Sequence, residues 1–193
     1  MIIRKLYEFE NAHIVRLCGS KRCRTSIHGH SYRCEILLSS NFLDEAGMVY
    51  DFGYMKLGIR ELIDSFDHAT TIYARDDASY IADLKKHSAR WVQIPLNPSA
   101  EQFCRIFFVL VDRLLSLTQM QNGEREVKLH SVIVHETATG YAQCFRDDAY
   151  NAQMGEIALD EIEFSPAVRE EWRQPELWQK LLRSEKIIYP KDC

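Results

Sequence analysis

No two of the six cysteines, Cys18, Cys23, Cys34, Cys104, Cys144 and Cys193, stand in a CxxC spacing. The opening MIIRKLYEFENAH has no apolar core ahead of a small-residue cleavage site, so no secretory signal is expected. Together these predict reduced thiols and a cytoplasmic protein, with a disulfide framework the weaker reading. Long apolar runs are missing as well: the longest, Ile106 to Val111, is far short of the roughly 20 residues that cross a bilayer, so no membrane segment is expected. A basic excess is also lacking. Lys plus Arg is 24 against 28 for Asp plus Glu, a net charge of −4, which argues against a dedicated nucleic-acid surface. Neither an internal repeat nor a low-complexity linker divides the chain. With 193 residues, 46% of them hydrophobic, it is expected to form one well-cored domain spanning 1–193.

The pattern along the chain predicts strands over Ile3 to His13 and His28 to Leu38, separated by a polar, basic loop from Arg16 to Thr25. Met55, Ile59, Leu62, Ile63 and Phe66 then repeat at helical spacing, and Phe103, Ile106, Phe107, Leu110, Leu114 and Leu117 do so more strongly. Ser99, with Gln102 three residues on, has the form of a capping box that starts the second helix. Val127 to His135 and Tyr141 to Phe145 read as a closing hairpin around Ala138-Thr139-Gly140. The expected order is ββααββ, an α+β fold with a four-stranded antiparallel sheet and two helices on one face. A sheet that small exposes its edges, and oligomerisation is one way to close them. Residues 75–93 stand outside this scheme as an insert in a core of 1–147. Residues 148–193 are expected to be a helical appendage that packs through Trp172, Trp178, Leu181 and Leu182.

His28-Gly29-His30, with His13 upstream, is the informative cluster. Side chains alternate along a strand, so His28 and His30 share a face, and Gly29 between them admits a neighbouring chain or ligand. If the first two strands pair, His13 meets them, giving three imidazoles and an open position, the catalytic type of zinc site. Cys23 lies among Lys21, Arg22 and Arg24, charges that favour a thiolate. Asp67 precedes His68, where a carboxylate can orient an imidazole for proton transfer. Glu136 closes a strand, where it can grip a planar amidine-like edge with two hydrogen bonds. Ser99 has a sufficient job as a helix cap, with substrate contact an addition. Glu101 serves either the helix N-terminus or a contact to substrate or a neighbouring subunit.

Phe9-Glu10-Asn11-Ala12-His13, Cys23 before His28-Gly29-His30, Phe66-Asp67-His68, Asn97-Pro98-Ser99-Ala100-Glu101 and His135-Glu136-Thr137, in that order, resemble the 6-pyruvoyltetrahydropterin and 6-carboxytetrahydropterin synthase family. The resemblance implies the tunnelling fold, assembled from trimers into a homohexamer. It implies Zn2+ on His13, His28 and His30, Cys23 as general base, Asp67 and His68 as proton relay, and Glu136 as pterin anchor. The implied substrate is 7,8-dihydroneopterin triphosphate. The favoured product is 6-carboxy-5,6,7,8-tetrahydropterin, a queuosine precursor, formed with release of acetaldehyde and triphosphate. A 6-pyruvoyl product or a folate precursor is the near alternative, and a non-catalytic zinc- or pterin-binding oligomer the alternative of another class. Four residues separate Cys23 from His28, which leaves Cys18 as a fallback base.

Overall fold

The computed structural model describes residues 1–189. Strands β1 (Ile2–His13) and β2 (His28–Ser39) form a long antiparallel pair, with the short helix α1 (Lys21–Thr25) in the loop between them. After a single 3-10 turn at Tyr54–Lys56 come α2 (Gly58–Asp64), β3 (Ala69–Tyr73), α3 (Ala78–His87), β4 (Trp91–Ile94) and α4 (Ala100–Leu117). The hairpin β5 (Lys128–His135) and β6 (Tyr141–Cys144) follows. The chain ends in α5 (Arg146–Ala149), β7 (Glu163–Phe164), α6 (Pro166–Glu170) and α7 (Leu177–Arg183).

The α+β class, the first and last strand pairs and the long capped helix are as the sequence predicts. The sheet is larger than expected. It has seven strands in the order β6-β5-β2-β1-β3-β4-β7, and β1–β3 and β3–β4 are parallel, so it is neither four-stranded nor wholly antiparallel. The ββααββ order is interrupted accordingly. Residues 74–90 connect β3 to β4 through α3, the long crossover that a parallel pair requires. Helix α3 buries none of its residues, so it has no apolar stripe by which to be recognised. The tail is not helical alone: β7 pairs antiparallel with β4 and extends the sheet. Trp172, Trp178 and Leu181 are buried as expected.

Alternation on β1 sets the layers. Tyr7, Phe9, Asn11 and His13 point to the buried face, while Ile2, Arg4, Leu6, Glu8 and Glu10 are exposed. The buried face carries an aromatic core: Phe9 stacks on Tyr32 at 4.9 Å and meets Phe107 edge-on at 5.5 Å, and Phe66 meets Phe107 at 4.9 Å. Helix α4 lies across it with Phe103, Phe107, Leu110 and Leu114 fully covered. Its start is half of the expected capping box. The Ser99 hydroxyl accepts from the Gln102 amide at 3.4 Å, but the Gln102 side chain turns away, to the Met154 carbonyl and to Arg105. Arg105 is the larger surprise. Buried on α4, its guanidinium donates to the carbonyls of Asp148, Ala149, Asn151, Met154 and Gly155 and so fastens the segment after β6 to the helix.

Candidate active site

The β1–β2 register places His13 opposite His28 and Asn11 opposite His30. Residues directly opposed in an antiparallel pair share a face, so all three histidines converge at the same end of the buried face. Their ring centroids are 4.6, 5.3 and 5.2 Å apart, and one nitrogen of each lies within 4.8 Å of the others. His13 is fully buried against Phe103, with Nδ1 held by the Pro98 carbonyl at 2.6 Å, while His28 Nδ1 is held by the Ser26 carbonyl at 3.0 Å. Each of those bonds fixes a tautomer and leaves Nε2 free to act as a metal ligand. Burial pushes His13 down to about 4, with His28 and His30 adding to the effect against the opposing Pro98 bond, so the ring stays neutral, the form a metal needs. The donor set therefore fits a metal such as zinc.

Around the histidines is a cleft of about 470 Å³ lined by Cys18, Cys23, His28, His30, Ser99, Glu101, Glu136 and Tyr141. Cys23 sits on α1, whose loop is tied back to the end of β1 by the Val15 amide on the Cys23 carbonyl at 3.1 Å. The Arg24 guanidinium is engaged by the carbonyls of Cys18 and Gly19, so this part of the expected basic cluster shapes the loop. Cys18 faces the cleft too, its thiol directed to the Ser20 carbonyl at 3.3 Å. Glu136 Oε1 lies 3.9 Å from His13 Nε2 and 3.8 Å from His30 Nε2. Cys34, Cys104 and Cys144 are buried free thiols, and Cys193 lies outside the described residues.

Tyr32 is a site neighbour that sequence reasoning passed over. Its buried hydroxyl is 3.4 Å from both ring nitrogens of His13 and donates to Glu136 Oε1 at 3.4 Å. Burial, reinforced by Glu136, raises the phenol far above its ordinary value, so it remains a donor. The signal was available: Tyr32 continues the alternation of His28 and His30 along one strand face. Gly29 has a simpler explanation than a ligand. A Cβ there would lie 3.1 Å from the Asn11 carbonyl oxygen, so the close neighbour is β1 itself.

Asp67 and His68 are placed elsewhere. Asp67 Oδ2 holds His68 Nδ1 at 2.9 Å, the expected orienting contact. Both are tied to the edge of β1 away from β2, through the Glu10 amide on Asp67 Oδ1 at 2.7 Å and the His68 amide on the Glu10 carbonyl at 2.7 Å. His68 is exposed and borders a separate depression with Glu10, Gly29, His30 and Ser31. Within one chain the pair therefore does not line the cleft that holds Cys23 and Glu136.

A family model described as 6-pyruvoyl tetrahydropterin synthase matches residues 2–147. The chain belongs to this family. Among curated relatives, a 6-carboxy-5,6,7,8-tetrahydropterin synthase of Helicobacter pylori is 35% identical over 190 residues, covering 98% of this chain and 95% of the relative. One from Aquifex aeolicus is 30% identical, covering 61% of this chain and 73% of its own length. Solved family members share the fold. The 6-pyruvoyl tetrahydropterin synthase of Caenorhabditis elegans superposes with a TM-score of 0.53 at 19% identity, over 75% of this chain and 94% of its own. That of Plasmodium vivax superposes at 0.55 with 20% identity, over 76% and 98%. Among the described residues, no helix is long and apolar enough to cross a membrane.

Proposed function

We propose that the chain is a zinc-dependent lyase that converts 7,8-dihydroneopterin triphosphate and one water to 6-carboxy-5,6,7,8-tetrahydropterin, releasing acetaldehyde and triphosphate, as a step toward queuosine. The observation that carries this reading is the convergence of His13, His28 and His30, the last two lining a cleft with Cys23 and Glu136, in a chain matched over nearly its whole length by relatives named for that product.

Three neutral imidazoles would hold the zinc, which when bound supplies Lewis acidity to the hydroxyls of the substrate side chain. Glu136, steadied by the Tyr32 hydroxyl, accepts two N–H groups from the amidine-like edge of the pterin and so fixes the ring. Cys23, at the cleft wall, takes a proton from the side-chain carbon as general base. Ser99 and Glu101, at the first turn of α4, offer polar contacts at the cleft mouth. His68, oriented by Asp67, serves the opposite face of the side chain. Because the pair sits on the far edge of β1, it is delivered from a neighbouring copy. That requirement, with the exposed sheet face bearing Ile2 and Leu6, supports a trimer-based homo-oligomer, a hexamer. The unpaired thiols suit a reducing cytoplasm, and one continuous sheet running from β6 to β7 supports a single domain over 1–193.

The test is to incubate purified, metal-analysed protein with 7,8-dihydroneopterin triphosphate and identify the products by mass. The 6-carboxytetrahydropterin mass with acetaldehyde is expected, and Cys23→Ala should lower the rate by ~10²-fold or more, as loss of a general base does, with zinc retained. A 6-pyruvoyl mass would keep the site and move the product. About one zinc per chain with untouched substrate would leave a binding module in place of an enzyme.

A further inference from the structure

The tail beyond residue 147 lies outside the family match, yet three successive residues in it grip the chain immediately around Asp67. Trp172 Nε1 donates to the Ser65 hydroxyl at 2.9 Å, with both residues buried. The Arg173 amide donates to Glu61 Oε1 at 3.1 Å. Glu171 Oε2 pairs at 2.5 Å with Arg90, whose Nε and Nη2 in turn donate to the Asp67 and Asp64 carbonyls, each at 3.0 Å. Ahead of these, Phe164 on β7 packs edge-on against both Phe66 (6.2 Å) and Trp172 (5.3 Å).

The turn needs outside support for two physical reasons. It follows the end of α2, where backbone carbonyls run out of intrahelical partners; there Arg90 donates to the Asp64 carbonyl, which also accepts from the Asp67 amide, and to the Asp67 carbonyl beyond it. It also contains His68 at φ +50°, a left-handed conformation that a residue with a Cβ adopts at a cost of roughly 1–2 kcal/mol. A helix end and a strained residue hold one geometry only when their surroundings over-determine it.

We infer that the carboxy-terminal segment Phe164–Arg173 is a positioning element for the Asp67–His68 pair, acting on it through Ser65, Phe66 and Arg90. This rests on the reading that Asp67 and His68 move a proton; the segment itself touches no substrate. The Glu171–Arg90 pair is exposed on the Glu171 side and contributes little by itself. The buried Trp172–Ser65 bond and the Phe164–Phe66 contact carry the tail's effect, while Arg90 braces the same turn through its own two bonds.

The experiment uses the full-length, zinc-loaded protein with Arg90→Gln and the milder Trp172→Phe, which keeps an aromatic ring and removes only the N–H donor. Hydrogen exchange over residues 64–70 should speed up in both variants. In turnover assays kcat should fall about tenfold for Arg90→Gln and about threefold for Trp172→Phe, with KM and zinc content unchanged, since displacement of a reacting group by an ångström can cost ~10²-fold. In an Asp67→Asn background Trp172→Phe should add no further loss, because both act through one group. Losses that multiply in that background, or unchanged exchange over 64–70, would overturn the inference. If the wild-type protein turns over no substrate, the proposed function fails by itself, and exchange alone decides whether the tail supports the turn.

Discussion

Asn11 offers the sharpest test of how the site is held together. It sits on β1 between the aromatic core and His13, and it is only 3% exposed. Its amide nitrogen donates to the Phe66 carbonyl at 2.8 Å and to the Ala69 carbonyl at 2.9 Å, and its oxygen accepts from the Thr71 hydroxyl at 2.9 Å. One side chain thus joins the strand that bears His13 to both ends of the Asp67–His68 turn and to β3. Replacing it with alanine removes three bonds worth about 1 kcal/mol each and strands their partners in a buried setting, for a total near 3 kcal/mol. With a urea slope of roughly 2–3 kcal/mol/M for a chain of this size, the unfolding midpoint should fall by about 1–1.5 M. The comparison belongs at one fixed protein concentration, because assembly adds to apparent stability. Thr71→Val removes only the third bond. In a double-mutant cycle with Asn11→Ala it should show a coupling of about 1 kcal/mol. A midpoint for Asn11→Ala within ~0.3 M of the parent, or additive effects in the cycle, would refute the idea that this amide is the clamp.

Three further outcomes follow from the same geometry. His28→Ala should lose bound zinc in metal analysis, since a catalytic zinc site has only three protein ligands, and Tm should then no longer respond to a chelator that lowers the Tm of the parent. Arg105→Met keeps much of the side-chain volume but removes the donor to the carbonyls of Asp148, Ala149, Asn151, Met154 and Gly155. Unfolding should become easier by about 3 kcal/mol, with proteolysis appearing first between β6 and β7. Ser99→Ala should cost about 1 kcal/mol by removing the cap of α4, measured by denaturation. Any fall in kcat/KM beyond what Glu101→Gln also causes would place the hydroxyl on substrate.

The sequence by itself determined what depends on local periodicity. Strand alternation put His28 and His30 on one face, and a helical stripe with a cap at Ser99 marked α4. The paired order of Asp67 and His68 correctly announced their 2.9 Å contact. Tertiary structure decided what depends on which elements lie side by side. Strands β3 and β4 are short and joined by a helix that buries nothing, so their parallel pairing leaves no local trace; only the sheet register reveals it. Arg105 looks like a surface cation in an amphipathic pattern until the segment after β6 folds its carbonyls around it. The same is true of Asp67 and His68. Two adjacent residues can be recognised by type, but their exile to the far edge of β1, and their dependence on a tail more than ninety residues away in sequence, follow from packing that no window of sequence contains.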